Sequence, residues 1–411
     1  MVKSKTLSEI KCIDEMDIAG KVVFIRVDFN TPMVDGKISD DTRIRAALPT
    51  IEYAINAGAK VVLGSHFGRP KGKYDKKYSL EPVANRLSEL SSCEVLLVEE
   101  PTSEAPKALL KTLRPKQILL LENLRFDPSE TANGSMIPDA IKEYADIYIN
   151  DAFGASHRAH SSIVAMAHEF PQRGIGFLMK KEVEMLDKVL LAPDHPFVAI
   201  IGGAKVSDKI EVIEALAKQV DVFIIGGAMA YTFLKAMGKE VGTSLVEKDK
   251  LTFAKNFLER MSTREKTVLL PVDHVVAESF NAKDSKTTED ENIPEGYMAL
   301  DIGPKSVAQF GVAIREAKCV FWNGPMGVFE NPLFAKGTFG IAKHVADNNE
   351  ALTIVGGGDS VSAVTQAGVS DKLSHVSTGG GASLEYLEGK PLPGLLALRG
   401  KKIHQASEGQ D

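Results

Sequence analysis

Five apolar residues, Phe197-Val-Ala-Ile-Ile201, end abruptly at Gly202-Gly203 and lead into Ala204-Lys205-Val206-Ser207-Asp208-Lys209. A run this short and this rich in β-branched side chains is the mark of a strand buried on both faces of a parallel sheet. The spacing that follows predicts an amphipathic helix over Ile210–Lys218. A glycine pair between strand and helix leaves backbone N–H groups at the positive end of a helix dipole, where phosphate binds readily. Lys205 and Lys209 share that turn and are placed to hold two phosphoryl groups. Read alone, the corner fits a plain turn with solvated lysines equally well.

The first half repeats one theme. Strands are expected at Val22–Val27, Lys60–Leu63, Glu94–Val98, Gln117–Leu121 and Asp146–Asn150, with a hairpin at Val34–Ile38 and helices over Ile44–Ala57 and Pro82–Leu90. Strands alternating with helices predict βαβ units and a parallel sheet. Ligands of such sheets lie beyond the carboxyl ends of the strands. Arg43, Arg69, Arg125 and Arg158 fall in those loops or just at the helix start that follows one, as do Asp28, Asn30 and His66. Guanidinium groups gathered on one rim repel unless an anion sits among them, and each supplies a planar fork for carboxylate or phosphate. For any one of them, pairing with a surface carboxylate is the simpler expectation. His157 and His160, three apart and without a nearby third ligand, are weak evidence for a metal.

From Phe177 to Leu191 the pattern is strongly helical and stops at Ala192-Pro-Asp-His-Pro196, which suits a helix joining two halves. The second half repeats another theme. Phe223-Ile-Ile-Gly-Gly227 and Thr353-Ile-Val-Gly-Gly-Gly358-Asp359-Ser360 echo the opening motif. Glycines there permit close approach of a nucleotide, and Asp359 has the charge for Mg²⁺, which prefers one or two carboxylates plus phosphate oxygens. For Gly226-Gly227, tight strand–helix packing is the better reading. Val320–Glu330 holds the single tryptophan, and Ser377-Thr-Gly-Gly-Gly-Ala-Ser383 enters a further helix. Neither GxGxxG nor GxxxxGK[ST] occurs, so any nucleotide is held by another arrangement.

Length and charge narrow the field. A chain of 411 residues is too long for one ordinary core, and a net charge of −6 argues against a nucleic-acid or membrane-surface protein. Cys12, Cys93 and Cys319 are unclustered, giving neither a disulfide framework nor a zinc site. The residues from Met1 lack an apolar leader core and no apolar run reaches membrane-spanning length, so a cytoplasmic location is expected. The tail from Ser407 is polar and expected to fray.

Over essentially its whole length the chain resembles the phosphoglycerate kinase family. The resemblance rests on Arg26-Val-Asp-Phe-Asn30, Thr42-Arg43-Ile44, Ser65-His-Phe-Gly-Arg-Pro70, Glu122-Asn-Leu-Arg-Phe126 and Ser156-His-Arg-Ala-His-Ser161. It continues in the same order with Gly202–Lys209, Trp322-Asn-Gly-Pro-Met-Gly327, Gly356-Gly-Gly-Asp359 and Ser377–Ser383. It implies an α/β fold of two Rossmann-like domains, each a parallel sheet flanked by helices, joined by a helix across a hinge cleft. The expected division is 1–177, a connecting helix at 178–194, 195–390, and a segment 391–411 returning to the first domain. The implied reaction is reversible transfer of the acyl phosphate of 1,3-bisphosphoglycerate to MgADP, giving 3-phosphoglycerate and MgATP.

Carried over residue by residue, the glycerate ligand falls to Asp28, Phe29, Asn30, Arg43, His66, Phe67, Gly68, Arg69, Arg125 and Arg158. The nucleotide falls to Gly203, Lys205, Gly227, Glu330, Gly356, Gly357, Gly358, Asp359 and Ser360, with Asp359 on the metal side. Phe67 stands where the family commonly has leucine, and Ser360-Val361 where Thr-Ala is frequent; neither removes a charge. Lys209, Arg43 and the backbone N–H groups at Gly379 and Gly380 are expected to stabilise the transferring phosphoryl group. A nicotinamide-dependent dehydrogenase and a non-catalytic nucleotide-binding protein are the competing readings. The missing GxGxxG speaks against the first, and the arginine rim has no purpose in the second.

Overall fold

In the computed structural model, which describes residues 6–400, the alternating apolar runs become two six-stranded parallel sheets. The polar tail from Ser407 lies outside the described residues. One compact unit runs up to Glu184 and resumes at Pro391; the other is Met185–Lys390. The division falls inside the helix Phe177–Leu191, whose stripe Met179, Val183, Leu186 and Val189 is buried. Among the described residues no helix is long and apolar enough to cross a membrane.

In the first unit the strands lie in the order Glu94–Val98, Gln117–Leu121, Lys60–Gly64, Val22–Val27, Ile147–Asp151, Arg173–Ile175. Val22–Val27 is central because its side chains are buried on both faces, as a parallel strand covered by helices requires. Register sets Arg26 beside Gly64 and Asn150, so Asp28 emerges level with His66. The chain's return segment helps close this unit. Gly394 N–H donates to Ser156 O at 2.9 Å, and Arg173 Nε donates to Leu398 O at 3.1 Å.

In the second unit the order is Thr267–Leu269, Val222–Ile225, Phe197–Ile201, Cys319–Asn323, Leu352–Gly356, His375–Val376. By chain order this is 3-2-1-4-5-6, the dinucleotide-fold arrangement, with its reversal between Phe197–Ile201 and Cys319–Asn323. Ile201 pairs with Asn323 and Ile225, and Asn323 with Gly356, so Gly226, Gly202, Gly324 and Gly357 form a row at the carboxyl edge. Trp322 is wholly buried in the core with Phe310, Met326 and Ile341, its Nε1–H donating to Gly324 O at 2.7 Å.

Two features differ from the sequence reading. The helix after Gly203 ends at Leu216 rather than Lys218, because Gln219 N–H turns back to Leu216 O to aim the chain into the next strand. A three-stranded antiparallel sheet, Lys286–Thr287, His274–Ala277 and Met298–Ile302, was not anticipated. Its strands are too short for a period-two pattern to stand out.

Candidate active site

The end of the first sheet and the loops beyond it gather a buried cluster of charged side chains and histidines. Arg26 is fully buried on its strand; Nε donates to Ser162 Oγ at 2.7 Å, and a terminal nitrogen lies 3.8 Å from Glu130 Oε1. Glu130 accepts from Ser162 N at 2.9 Å and Ser162 Oγ at 2.6 Å. Asp28 opposes them, paired with Arg43 and accepting from Asn30 N at 3.2 Å. Burial alone would raise the Asp28 carboxyl, but the guanidiniums of Arg43 and then Arg26 hold it down at about 2. Arg43 therefore has the carboxylate partner that the simpler reading allowed for it.

Arg26 also donates to His66 Nδ1 at 3.2 Å. A guanidinium has no acceptor, so Nδ1 must accept, and neutral His66 carries its proton on Nε2. Burial lowers the His66 pKa well below its ordinary value; Arg26, Arg125 and His160 push the same way while Asp28 opposes them. His66 is then a neutral Nε2–H donor beside Arg26 and near Arg125. Nitrogen-15 NMR at pH 6 should find the Nε2–H tautomer, and an imidazolium signature there would refute this assignment.

Arg125 is buried, donates from a terminal nitrogen to Gly68 O at 2.7 Å, and has a buried Nε with no hydrogen-bond partner. Burial, then the nearby Arg26 and Arg158, lower it to about 10. His160 Nδ1 is likewise buried without a partner, and burial beside Arg125, Arg26 and Arg158 holds that ring at about 3. Arg158 is half-buried, its Nε donating to His157 Nε2 at 3.1 Å. Arg69 is exposed. Holding the Arg26 and Arg125 guanidiniums out of water, with half-buried Arg158 nearby, is costly unless an anion completes the set.

The surrounding backbone is fixed. Phe29 N–H donates to Ser65 Oγ at 2.9 Å, and Gly68 N–H to Asn30 Oδ1 at 2.9 Å. Asn123 accepts from Phe67 N at 3.0 Å and donates to Phe67 O at 2.7 Å and Tyr78 O at 2.9 Å, binding the His66–Arg69 loop to the turn that carries Arg125. Gly68 has φ +57°, and a Cβ there would sit 2.4 Å from the Tyr78 ring, so only glycine fits. Glu130 and Ser162 escaped the sequence reading, and Arg26 and Asn123 entered it only within matching blocks, not as site residues. A charge inside a strand gives no periodic signal, and their partners are remote in sequence.

At the second sheet's edge the row of glycines divides into filled and open positions. A Cβ at Gly202 would meet Pro325 O at 2.2 Å, one at Gly226 the Met326 sulfur at 2.3 Å, and one at Gly227 the Gly203 backbone at 2.6 Å. A Cβ at Gly324, φ +96°, would stand 2.1 Å from Gly202 O. These glycines pack against neighbouring loops, the tight packing preferred above for Gly226-Gly227, and at Gly202 they leave no room for the close approach of a nucleotide. At Gly356 a Cβ would meet only ordinary contacts at 3.8 Å, and at Gly357, φ +93°, it would strike Asn323 Nδ2 at 2.6 Å. Space is open at Gly203, with nothing nearer than Lys209 Cε at 3.9 Å, and at Gly358 and Gly380.

Lys209 is half-buried and donates to Asn323 Oδ1, whose amide donates to Gly356 O at 2.7 Å. Burial lowers its pKa, and Asp208, Asp359 and Glu388 oppose that shift. Lys205, Asp359 and Glu330 are exposed, with Asp359 in the first turn of the helix Gly358–Gln366. Ser360 is buried, its Oγ accepting from Gly324 N at 2.5 Å, so its hydroxyl holds the glycine row together. Gly379 N–H donates to Ser377 Oγ at 3.1 Å, leaving Gly380, at φ +53°, the more open of that pair. The turn before Lys209 offers fewer amides than the sequence suggested, because Glu247 accepts from Val206 N at 2.5 Å and Ser207 N at 3.2 Å.

The phosphoglycerate kinase family model matches residues 13–390. The chain belongs to the phosphoglycerate kinase family. A phosphoglycerate kinase of Bdellovibrio bacteriovorus is 57% identical over 394 residues, covering 96% of this chain and 98% of that one. One from Clostridium novyi is 50% identical, with 95% and 99% covered. Among solved structures, phosphoglycerate kinase from Coxiella burnetii has a TM-score of 0.84 at 39% identity, with 95% of this chain and 98% of that chain covered. The Pyrococcus horikoshii phosphoglycerate kinase gives 0.82 at 33% identity, with 94% and 98% covered. Membership of the phosphoglycerate kinase family makes the chain a phosphotransferase with the α/β fold described above.

Proposed function

We propose that this chain catalyses reversible, Mg²⁺-dependent transfer of the acyl phosphate of 1,3-bisphosphoglycerate to ADP, giving 3-phosphoglycerate and ATP. The observation that carries the reading is the unpartnered buried Nε of Arg125 within a crowd of Arg26, Arg158, His66 and His160. A small, highly charged anion satisfies Arg125 Nε and offsets the guanidinium charges around it. The glycerate ligand belongs to this pocket, with Asp28, Phe29, Asn30, Arg43, the loop His66–Arg69, Arg125 and Arg158 around it. The nucleotide belongs to the second unit's edge, where Gly203, Gly356 and Gly358 admit it closely and Lys205, Glu330 and Gly357 flank it. Gly227 and Ser360 serve by holding that edge in shape.

The exposed carboxylate of Asp359 fits a hard cation that keeps most of its ligands as water and phosphate oxygens. When bound, Mg²⁺ neutralises phosphate charge. In the direction of ATP use the nucleophile is the carboxylate of 3-phosphoglycerate, already ionised at neutral pH, so no general base is needed. What remains is positioning and charge stabilisation of a phosphoryl group passing in line between two oxygens. Lys209 and Arg43 take that role with the backbone around Gly379 and Gly380, and Lys205 steadies the nucleotide phosphates.

A coupled assay with ATP and 3-phosphoglycerate tests the reaction: turnover should require both substrates and Mg²⁺, and its absence would overturn the reading. Arg125→Ala tests the pocket. Losing a hydrogen bond to a charged group costs about 1.5–3 kcal/mol, or roughly 10- to 150-fold in 3-phosphoglycerate affinity. Calorimetric titration should show that loss with nucleotide affinity unchanged; unaltered glycerate binding would place the ligand elsewhere.

A further inference from the structure

We infer that Glu247 is a positioning residue for phosphoryl transfer, a carboxylate clamp that sets the loop carrying Lys205 and Lys209. Its Oε2 accepts from Val206 N at 2.5 Å and Ser207 N at 3.2 Å, and its Oε1 accepts from Ser207 Oγ at 2.6 Å. The three contacts fall between the two lysines. Glu247 is itself anchored, since its N–H donates to Thr232 Oγ1 at 3.1 Å and Thr232 is buried in the helix Met229–Ala236. One residue thus references the loop after Phe197–Ile201, through its carboxylate, to the helix after Val222–Ile225, through its backbone N–H.

The loop needs such a device. Its next element, Ile210–Leu216, is only a short helix, and Gly202-Gly203 give the backbone freedom on the other side, with Gly203 at φ +115°. The aliphatic stem of Lys209 lies over Gly203, its Cε 3.9 Å from where a Cβ would stand, and its ammonium reaches Asn323. Freeing Val206 and Ser207 would release the segment between those two anchors. Glu247 touches neither substrate in this scheme and acts through the loop.

The inference rests on the proposed role of the two lysines, so the experiment separates the two claims. Glu247→Ala should lower kcat ten- to hundredfold or raise the nucleotide KM by as much, since a displacement near 1 Å costs on the order of 10²-fold. The KM for 3-phosphoglycerate should stay at the parent value. Glu247→Gln should recover most of the loss, because its carbonyl still accepts from both amides and its NH₂ donates to Ser207 Oγ. Amide exchange at Val206 and Ser207 should accelerate in the alanine variant and not in the glutamine one. Should Glu247→Ala fail to fold, Ser207→Ala, which deletes a single contact, should show a smaller loss in the same direction.

Accelerated exchange with unchanged kinetics would reduce Glu247 to a purely structural tie. Equal impairment of the alanine and glutamine variants would assign the effect to charge rather than geometry. Either result overturns the inference. Parent-like turnover in Lys209→Ala would instead sink the lysine reading, whatever Glu247 does.

Discussion

Replacing Lys209 with alanine lowers kcat by roughly 100- to 1,000-fold, the loss of about 2.7–4 kcal/mol expected when one preorganised donor to a developing charge is removed. The ammonium is partly desolvated and held at Asn323, with its stem over Gly203, so it meets the transferring group with little reorganisation. Its interaction strengthens as charge moves onto the phosphoryl oxygens. The signature is therefore a fall in kcat with the 3-phosphoglycerate KM little changed, rather than weakened ground-state binding. Stopped-flow or steady-state assays in the ATP-using direction read both constants. A variant with parent kcat would remove Lys209 from the mechanism and leave Arg43 and the Gly380 turn to supply the stabilisation.

Glu130→Ala should strongly destabilise the first unit. Arg26 and Glu130 are both wholly buried, and Ser162 bridges them through Arg26 Nε and Glu130 Oε1. Removing one partner of a buried pair leaves an uncompensated charge and costs about 3–5 kcal/mol. The loss of Glu130 also strips the acceptor from Ser162 N. Urea unfolding followed by circular dichroism should show the drop. Because 3-phosphoglycerate would neutralise the orphaned Arg26, its addition should raise the variant's midpoint by more than it raises the parent's. A decrease under about 1 kcal/mol would mean that water or a neighbouring group already compensates Arg26.

Much of this was legible because strands of a parallel sheet announce themselves as short β-branched runs. Val22–Val27 and Phe197–Ile201 needed nothing more than the glycine or aspartate that ends them. The loops after those strands were then fixed by topology, which is why Asp28, Asn30, His66 and Arg125 fell together without any pattern among themselves. Three kinds of information were hidden. Arg26 lies inside a strand and reads as a misplaced core residue until its remote partner Glu130 is known. Glu247 belongs to a polar stretch, Glu247-Lys248-Asp249-Lys250, that looks like any solvated turn. The glycine row gave its position but not its use, since whether a missing side chain admits a ligand or a neighbouring loop depends on what packs against it.

The first unit is not finished by the stretch of chain that begins it. Gly394 and Leu398 bond to Ser156 and Arg173, and the second unit's entire sequence intervenes. On the ribosome, the later-encoded unit therefore has all its parts before the earlier one does. Until the segment carrying Gly394 and Leu398 leaves the exit tunnel, the nascent first unit has an unsealed flank.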